Sequence, residues 1–251
     1  MKLMFSNKSK GLLLLALSLY CLLPFFLFGS DFNFSNKVDG FVGALITYVT
    51  YSAGSQGFLV TLLVVGIMLL RLRLPAAKLV SVGVQLVVLL GLSFAAKTYL
   101  KHWTESPRPY AVYLAEQQVV DLPEAFYELP LLAKNDAIVQ VSSLVSDWRT
   151  IHWLGETDYS FPSGHMIFVG VCVAFFGGLF WEARKFMWVG ALLVWAGAVA
   201  YSRVWLGMHR PIDLAASIGF AALLSALVPA ISHEKIEPYL PDWFKSFRAF
   251  N

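Results

Sequence analysis

Charged residues are scarce in this chain. They make up 14% of its 251 residues, against about 25% in soluble domains. Hydrophobic residues account for 58%, the mean hydropathy is +0.65, and the net charge is only +3 with no basic stripe. This composition excludes a soluble globular protein and gives no support for nucleic-acid binding. We therefore expect an integral membrane protein whose first partner is the lipid bilayer.

Cysteine is nearly absent as well. Cys21 and Cys172 are the two present, and both lie inside apolar runs. They offer neither a disulfide framework nor the spacing of zinc ligands. The sequence also lacks a cluster of acidic residues that would hold a divalent cation. We therefore expect no metal and no other cofactor.

Long apolar runs are what the sequence has in abundance. A helix of about 20 apolar residues crosses the hydrocarbon core of a bilayer, and a charge-free run from 41 to 70 is divided by Gly54-Ser55-Gln56-Gly57 into an interfacial helix and a span. The predicted fold is an all-α integral membrane protein with six transmembrane helices in a single domain, 1–251. The six stretches are 11–29, 53–70, 79–96, 164–181, 186–202 and 212–231.

Basic residues set the predicted orientation. They concentrate in the segments before span one, between spans two and three, between spans four and five, and in the tail 232–251. Because cytoplasmic loops carry the excess of lysine and arginine, both termini are expected in the cytoplasm. The large polar loop 101–160, between helices 3 and 4, then lies outside, and the periodicity of 136–154 predicts a mainly helical insertion that caps the site.

Three short polar segments stand at span ends: 101–109 ("KHWTESPRP"), 162–165 ("PSGH") and 202–213 ("SRVWLGMHRPID"). Six spans joined by short inner connections place all three on the outer membrane face. Charged side chains are costly in a membrane and tend to mark function there. The three segments therefore predict one site at the outer interface.

The residues of these segments have the chemistry of a phosphate cradle. Guanidinium and ammonium groups match phosphate oxygens, and a helix start offers free amides and a favourable dipole to an anion. The candidate phosphate-binding residues are Lys101, Arg108, Ser163, Gly164 and Arg203.

Two histidines accompany the cradle. His209 precedes Asp213 by four residues, a spacing that brings the carboxylate to one ring nitrogen and leaves the other free to attack phosphorus. His165, at the head of span four, is the candidate general acid. Taken singly, each of these residues is more simply an interfacial anchor or a helix-terminal charge; three ordered segments on one face argue against that interpretation. Glu156, His102 and His152 are interpreted as solvated loop side chains.

At these residues the sequence resembles the type 2 phosphatidic acid phosphatase superfamily. The family pattern of a lysine before Arg-Pro, then Pro-Ser-Gly-His, then Ser-Arg followed by histidine and aspartate is complete here. The resemblance implies a metal-independent lipid phosphatase of a bacterial inner membrane with its site on the periplasmic face. His209 would be the nucleophile, Asp213 its orienting partner and His165 the acid. Its lipid phosphate substrates would include phosphatidylglycerol phosphate, undecaprenyl pyrophosphate, phosphatidic acid and diacylglycerol pyrophosphate.

Two alternatives stay open. The same signature occurs in lipid phosphotransferases, and no residue here decides whether water or another acceptor takes the phosphoryl group. A lipid transporter or flippase would need charges near the bilayer midplane, whereas the polar residues of this chain gather at span ends. We also expect the helical part of 101–160 to line or gate the entrance. The oligomeric state is not indicated.

Overall fold

The computed structural model describes residues 2–28, 34–36 and 38–245 of the chain. This part is helical and contains no strand. A π-helical turn, Val173–Gly177, joins two of the helices, and a 3-10 turn, Glu237–Tyr239, lies near the end. In chain order the helices are α1 (Lys2–Phe28), α2 (Gly40–Ala53), α3 (Phe58–Leu70), α4 (Ala76–Thr104), α5 (Pro109–Glu116), α6 (Ala125–Glu128), α7 (Leu131–Gln140), α8 (Asp147–Gly155), α9 (Gly164–Cys172), α10 (Gly178–Glu182), α11 (Phe186–Trp205), α12 (Pro211–Leu227), α13 (His233–Ile236) and α14 (Asp242–Lys245).

Each of the six predicted spans coincides with a helix or a broken helix. Within the described residues, the helices containing α4, α9–α10 and α11 are long and apolar enough to cross a membrane, and the bent pair α2–α3 makes a fourth. Helix α12 is apolar but has 17 residues, and α1 has 27. The predicted end of span one at 29 lies outside the described residues. An all-helical fold with several apolar helices of spanning length is thus confirmed, and the count of six spans stays a prediction.

Helix α1 packs closely against the π-helical turn, α10 and α12. A Cβ at Gly11 would lie 2.1 Å from the carbonyl oxygen of Ala174, and one at Gly178 would lie 2.3 Å from that of Asn7. Both glycines therefore permit a backbone approach that a side chain would prevent. The fully buried Val171, Cys172 and Ile218 belong to the same apolar core, so the bundle places α9, which begins at the PSGH segment, at its centre.

The charge-free run from 41 to 70 is broken where the sequence predicts. Helix α2 ends at Ala53, α3 begins at Phe58, and the two axes differ by 71°. Gly54 lies in this break, and a Cβ there would be 2.7 Å from Nε2 of His165. The break therefore brings a backbone without a side chain against one of the candidate catalytic rings.

The insertion between α4 and α9 forms a helical layer with its own apolar core. Trp153 stacks on Tyr110 with ring centroids 5.1 Å apart, and Phe126 meets Tyr110 edge to face. The periodic segment 136–154 is divided between α7 and α8, because the chain turns between Gln140 and Asp147. The insertion is therefore mainly helical, as predicted, and its place on the periplasmic side stays a prediction.

The tail 232–251 begins with the short helices α13 and α14, which pack against α4. Residues 246–251 lie outside the described part of the chain. This packing ties the tail to the end of α4 that is remote from the polar motifs, because those motifs follow the other end of α4.

Candidate active site

The structure brings the three polar segments together at one end of the bundle. Lys101 lies in the last turn of α4, and Arg108 immediately precedes α5. Arg203 lies in the last turn of α11. All three side chains are at least nine-tenths buried. The three basic residues therefore form a buried cluster of cations, and their binding of phosphate stays a prediction.

Two carboxylates from the end of the insertion neutralise this cluster. Oε2 of Glu156 lies 2.7 Å from Nη2 of Arg203 and 3.5 Å from Nη1 of Arg108. Asp158 pairs with Arg108, and its Oδ2 lies 3.1 Å from Nζ of Lys101. Because carboxylate oxygens resemble phosphate oxygens in charge and geometry, these two side chains occupy the position at which the cations would bind an anion.

Further contacts fix the two guanidinium groups. Arg203 Nη1 donates to Thr50 Oγ1 at 2.8 Å, while its buried Nε has no acceptor among the described residues. Arg108 Nε donates to the carbonyl oxygen of Asp158 at 2.7 Å, and its backbone amide donates to the hydroxyl of Tyr127 at 2.8 Å. Arg203 therefore retains one unused donor, which an additional anion would satisfy.

His209 is held from one side of its ring. Its Nδ1 lies 3.6 Å from Oδ2 of Asp213 and 3.3 Å from Oγ of Ser160. The Ser160 hydroxyl donates to the same Asp213 oxygen at 2.5 Å, and the Arg210 amide donates to it at 2.9 Å. Because Nδ1 faces this buried group, the Nε2 lone pair is the one available to a substrate.

The PSGH segment forms the start of α9. Ser163 caps the helix by accepting from the Met166 amide at 3.4 Å, and its own amide donates to Ser217 Oγ at 2.9 Å. Ser163 is fully buried, whereas Gly164 and His165 line the cavity described below. A Cβ at Gly164 would lie 2.6 Å from Cδ of Lys97, so glycine leaves room beside that lysine. Ser163 thus stabilises the start of α9 without lining the cavity.

The loop that carries His209 rests on the core of the insertion. Trp153 Nε1 donates to the carbonyl oxygen of Leu206 at 2.7 Å, and Gly207 accepts from the Tyr110 amide at 3.0 Å. Gly207 has φ +68°, and a Cβ there would lie 2.5 Å from the ring of Phe34. The local backbone therefore requires glycine, and α8 positions the segment that holds the candidate nucleophile.

An open cavity with about 1440 Å³ of empty space reaches this cluster. Lys101, Arg108, His165 and His209 line its polar end. Its other walls come from the α2–α3 break, α4 and α9, and include Phe58, Leu90, Phe94, Ile167 and Phe168. From the insertion, Gly155 at the end of α8 lines it together with the following residues Glu156 and Asp158, whereas no residue from 112 to 150 does. That the helical part of the insertion lines or gates the entrance stays a prediction. An apolar passage ending at buried cations suits an amphiphile with a phosphate headgroup.

Burial and neighbouring charges shift the pKa values of three site residues that lie outside the predicted spans: Glu156, Asp158 and His209. Burial opposes the charge of Glu156, but Arg203 and Arg108 outweigh burial and hold its pKa well below the ordinary range. The pKa of Asp158 is likewise lowered to about 2, because Arg108 and Lys101 outweigh burial. Burial and the same cations lower the pKa of His209 well below its usual value. The ring of His209 is therefore neutral near pH 7, as a nucleophile must be.

The interpretation of Glu156 and His152 as solvated loop side chains was wrong. Glu156 pairs with the cradle, and His152 is 4% exposed with its Nε2 3.2 Å from Thr47 Oγ1. His102 is exposed, as expected for a loop side chain. Glu156, Asp158 and Ser160 alternate along an extended stretch just before PSGH, and that proximity to a motif is the one hint the sequence carried.

Among the described residues, no group of three histidine, cysteine, aspartate or glutamate side chains is arranged to hold a metal ion. Glu156 and Asp158 are engaged with arginine and lysine side chains, and Asp213 is engaged with Ser160 and His209.

Several known proteins are similar to this chain in sequence, and two of them are similar over most of its length. Residues 82–237 match the PAP2 superfamily. The chain is 33% identical to phosphatidylglycerophosphatase B of Haemophilus influenzae over 87% of this chain and 96% of that protein. It is 29% identical to phosphatidylglycerophosphatase B of Escherichia coli, covering 68% of each chain. A 60-residue segment is 40% identical to undecaprenyl-diphosphatase of Sulfolobus acidocaldarius, covering 24% of this chain and 27% of that protein.

Proposed function

Because this chain belongs to the PAP2 superfamily, we propose that it hydrolyses phosphate groups from membrane lipids through a phosphohistidine intermediate. The observation that carries the proposal is the convergence of Lys101, Arg108 and Arg203 beside the neutral ring of His209. Buried cations of this kind stabilise the charge of a transferring phosphoryl group. The apolar passage supports a lipid as the carrier of that group.

In the first chemical step, Nε2 of His209 attacks phosphorus and forms a P–N bond while the bond to the leaving oxygen breaks. His165 donates a proton to that oxygen. Asp213 and Ser160 stabilise the ring through Nδ1. The positive charge that the ring gains is thereby balanced by a buried carboxylate.

In the second step, water replaces the lipid alcohol. His165, now without its proton, accepts one from the water, and the water oxygen attacks phosphorus as the P–N bond breaks. Inorganic phosphate leaves and His209 is regenerated. Lys101, Arg108 and Arg203 contact the phosphoryl oxygens throughout, together with Gly164 at the start of α9, while Ser163 holds that helix start in place. The scheme therefore needs no metal.

The proposed substrates are phosphatidylglycerol phosphate and undecaprenyl pyrophosphate, with phosphatidic acid and diacylglycerol pyrophosphate as further ones. The names of the similar proteins support the first two. The proposed location is a bacterial inner membrane with both termini in the cytoplasm and the site on the periplasmic face, supported by the placement of basic residues.

The test is phosphate release by the purified full chain in detergent, with EDTA present and the four lipids assayed side by side. We expect release from at least one lipid, and a loss of about a thousandfold or more in His209→Ala. His102→Ala, an exposed histidine on the same side, is the matched control and should retain activity. Loss of activity in EDTA, or activity retained by His209→Ala, would contradict the proposal.

Two other functions give different results in the same preparation. A phosphotransferase would release no phosphate and would label an added acceptor lipid instead. A transporter would leave every lipid intact and move a fluorescent lipid between the leaflets of vesicles. The charged residues at one end of the spans favour the hydrolase over the transporter.

A further inference from the structure

A second cavity lies at the end of the bundle opposite the candidate active site. It is open to solvent, has about 670 Å³ of empty space when that open part is included, and is lined by the first turns of α4, by α1 and by the segment around α13. Ser81, which lines it, precedes Lys101 by 20 residues on the continuous helix α4. At 1.5 Å per residue the two sites are about 30 Å apart, which is the thickness of a bilayer core. We name it the basal cavity.

Three basic side chains from three elements reach the basal cavity: Lys8 of α1, Lys78 of α4 and His233 of α13. All three are half-buried. Lys8 Nζ donates to the carbonyl oxygen of Ala226 at 3.0 Å, while the side chains of Lys78 and His233 have no partner among the described residues. None of the described lining residues is acidic. Lys10, two residues further along α1, instead forms an ion pair with Glu182.

The absence of a counter-charge in this lining distinguishes the basal cavity from the candidate active site, where Lys101, Arg108 and Arg203 each have a carboxylate partner. Like charges gathered in a half-buried space repel one another and cost free energy unless an anion enters. Ser225 Oγ and Asn7 Oδ1, on two further lining residues, are buried without a hydrogen-bond partner in the described part of the chain. The site therefore offers unused donors and an unused acceptor beside positive charge.

The inner wall of the basal cavity is apolar. Val82 and Leu89 of α4 face Phe175 and Leu179 across it. A free inorganic ion would gain nothing from this wall, whereas an acyl chain would bury apolar surface there. Basic pockets between membrane helices are a common form of lipid headgroup site.

We propose that the basal cavity binds an anionic phospholipid, with its phosphate at Lys8, Lys78 and His233 and an acyl chain along Leu89, Phe175 and Leu179. Bound there, the lipid links α1, α4 and the tail. It stabilises the fold by neutralising Lys8 and Lys78, by offering His233 a hydrogen-bond partner and by filling the cavity. This binding needs no chemistry at the candidate active site and does not depend on the proposed function.

The test is thermal unfolding of the purified full chain in a nonionic detergent with added phosphatidylglycerol. Phosphatidylcholine with the same acyl chains, and inorganic phosphate, are added in parallel. We expect phosphatidylglycerol to raise the midpoint by several degrees and the other two to leave it unchanged. The Lys78→Gln/His233→Gln double variant should bind phosphatidylglycerol about tenfold more weakly and lose most of the shift.

The matched control is Arg71→Gln/Lys235→Gln. It removes two basic residues near the same end of the bundle that are exposed and do not line the cavity. It should keep the full shift. Lipid binding at the candidate active site is the same in all three proteins, so only the difference between the two double variants reports on the basal cavity.

Native mass spectrometry provides a second readout that does not require a stability change. Wild type and control should retain one more phosphatidylglycerol molecule than the Lys78→Gln/His233→Gln variant. Equal shifts and equal lipid retention in both double variants would overturn the proposal. A shift with inorganic phosphate that depends on Lys78 and His233 would also overturn it, because the occupant would then be a free anion.

Discussion

Oε2 of Glu156 lies 2.7 Å from Nη2 of Arg203, a fully buried guanidinium whose Nε has no acceptor in the described part of the chain. Glu156 and Thr50 each accept from one terminal nitrogen of this arginine, and Nε remains unused. A phosphate that enters the site must either share this arginine with Glu156 or displace it. Binding of substrate and the position of Glu156 are therefore coupled.

Replacing Glu156 with glutamine tests this coupling. The Glu156→Gln variant leaves Arg203 without a negative partner, while Arg108 keeps Asp158. We expect a loss of about 2 kcal/mol in stability for this partly exposed pair. The same change removes the competitor for an anion. Vanadate, a phosphate analogue, should bind about tenfold more tightly and raise the unfolding midpoint more than in wild type.

Glu124→Gln serves as the control, because Glu124 is an exposed acid on the insertion. It should change neither the stability nor the vanadate affinity. Weaker vanadate binding by Glu156→Gln would show that the carboxylate assists anion binding, which contradicts the competition described above.

Ser160 is expected to position the catalytic pair. Its hydroxyl lies between Asp213 and His209, at 2.5 Å from the carboxylate and 3.3 Å from Nδ1. Removing a hydrogen bond to a charged group costs about 1.5 to 3 kcal/mol. We expect Ser160→Ala to lower kcat at least about tenfold with little change in KM, because the phosphate contacts stay intact.

A structural effect alone would give a different pattern. Ser18→Ala removes another buried hydroxyl, which donates only to the carbonyl oxygen of Leu14 in α1. It should leave kcat unchanged. Equal losses in the two variants, or a rise in KM without a fall in kcat for Ser160→Ala, would argue against a positioning role.

His152 predicts a pH dependence of stability. Burial and the nearby Arg203 lower its pKa from 6.5 to about 4. Between these values the unfolded chain holds a proton on this ring that the folded chain lacks, so stability rises with pH from about 4 to 6.5 and is lost as the pH falls. Unfolding midpoints measured across this window should show a shallower rise in His152→Gln than in the exposed control His102→Gln. Parallel curves would contradict the buried neutral ring.

Gly207 is expected to be intolerant of a side chain. At φ +68° an L-residue is strained by about 1 kcal/mol or more, and a Cβ would also meet the ring of Phe34. We expect Gly207→Ala to lower the unfolding midpoint and to reduce kcat, because this turn carries His209. Gly190→Ala, where a Cβ meets nothing within 4 Å, should retain both. Unchanged activity in Gly207→Ala would mean that the loop geometry is not needed.

The helical fold and the residues of the site could be predicted because charged residues contrast with the long apolar runs around them. Long apolar runs leave few places for charge, so Lys101, Arg108, Arg203 and His209 stand out at span ends. Their common side follows from the alternation of spans. The break at 54–57 was visible for a similar reason, since two glycines and two polar residues interrupt an apolar run.

The rest depends on tertiary contacts that no local pattern encodes. Glu156 and Asp158 look like loop acids until the stretch before PSGH folds back over the cradle. His152 looks exposed until α8 packs against α2 and places its ring beside Thr47. The basal cavity is likewise not predictable from sequence, because its three basic residues are far apart along the chain.

The most direct test of the proposed mechanism is to look for phosphate on His209. Purified protein is mixed with 32P-labelled phosphatidic acid, quenched in alkaline detergent within milliseconds, and assayed both for label on the protein and for released phosphate. The mechanism predicts a label that is stable in alkali and lost in acid, located on the peptide containing His209, with both label and turnover absent from His209→Ala. Label on another residue, or turnover that persists in His209→Ala, would contradict it.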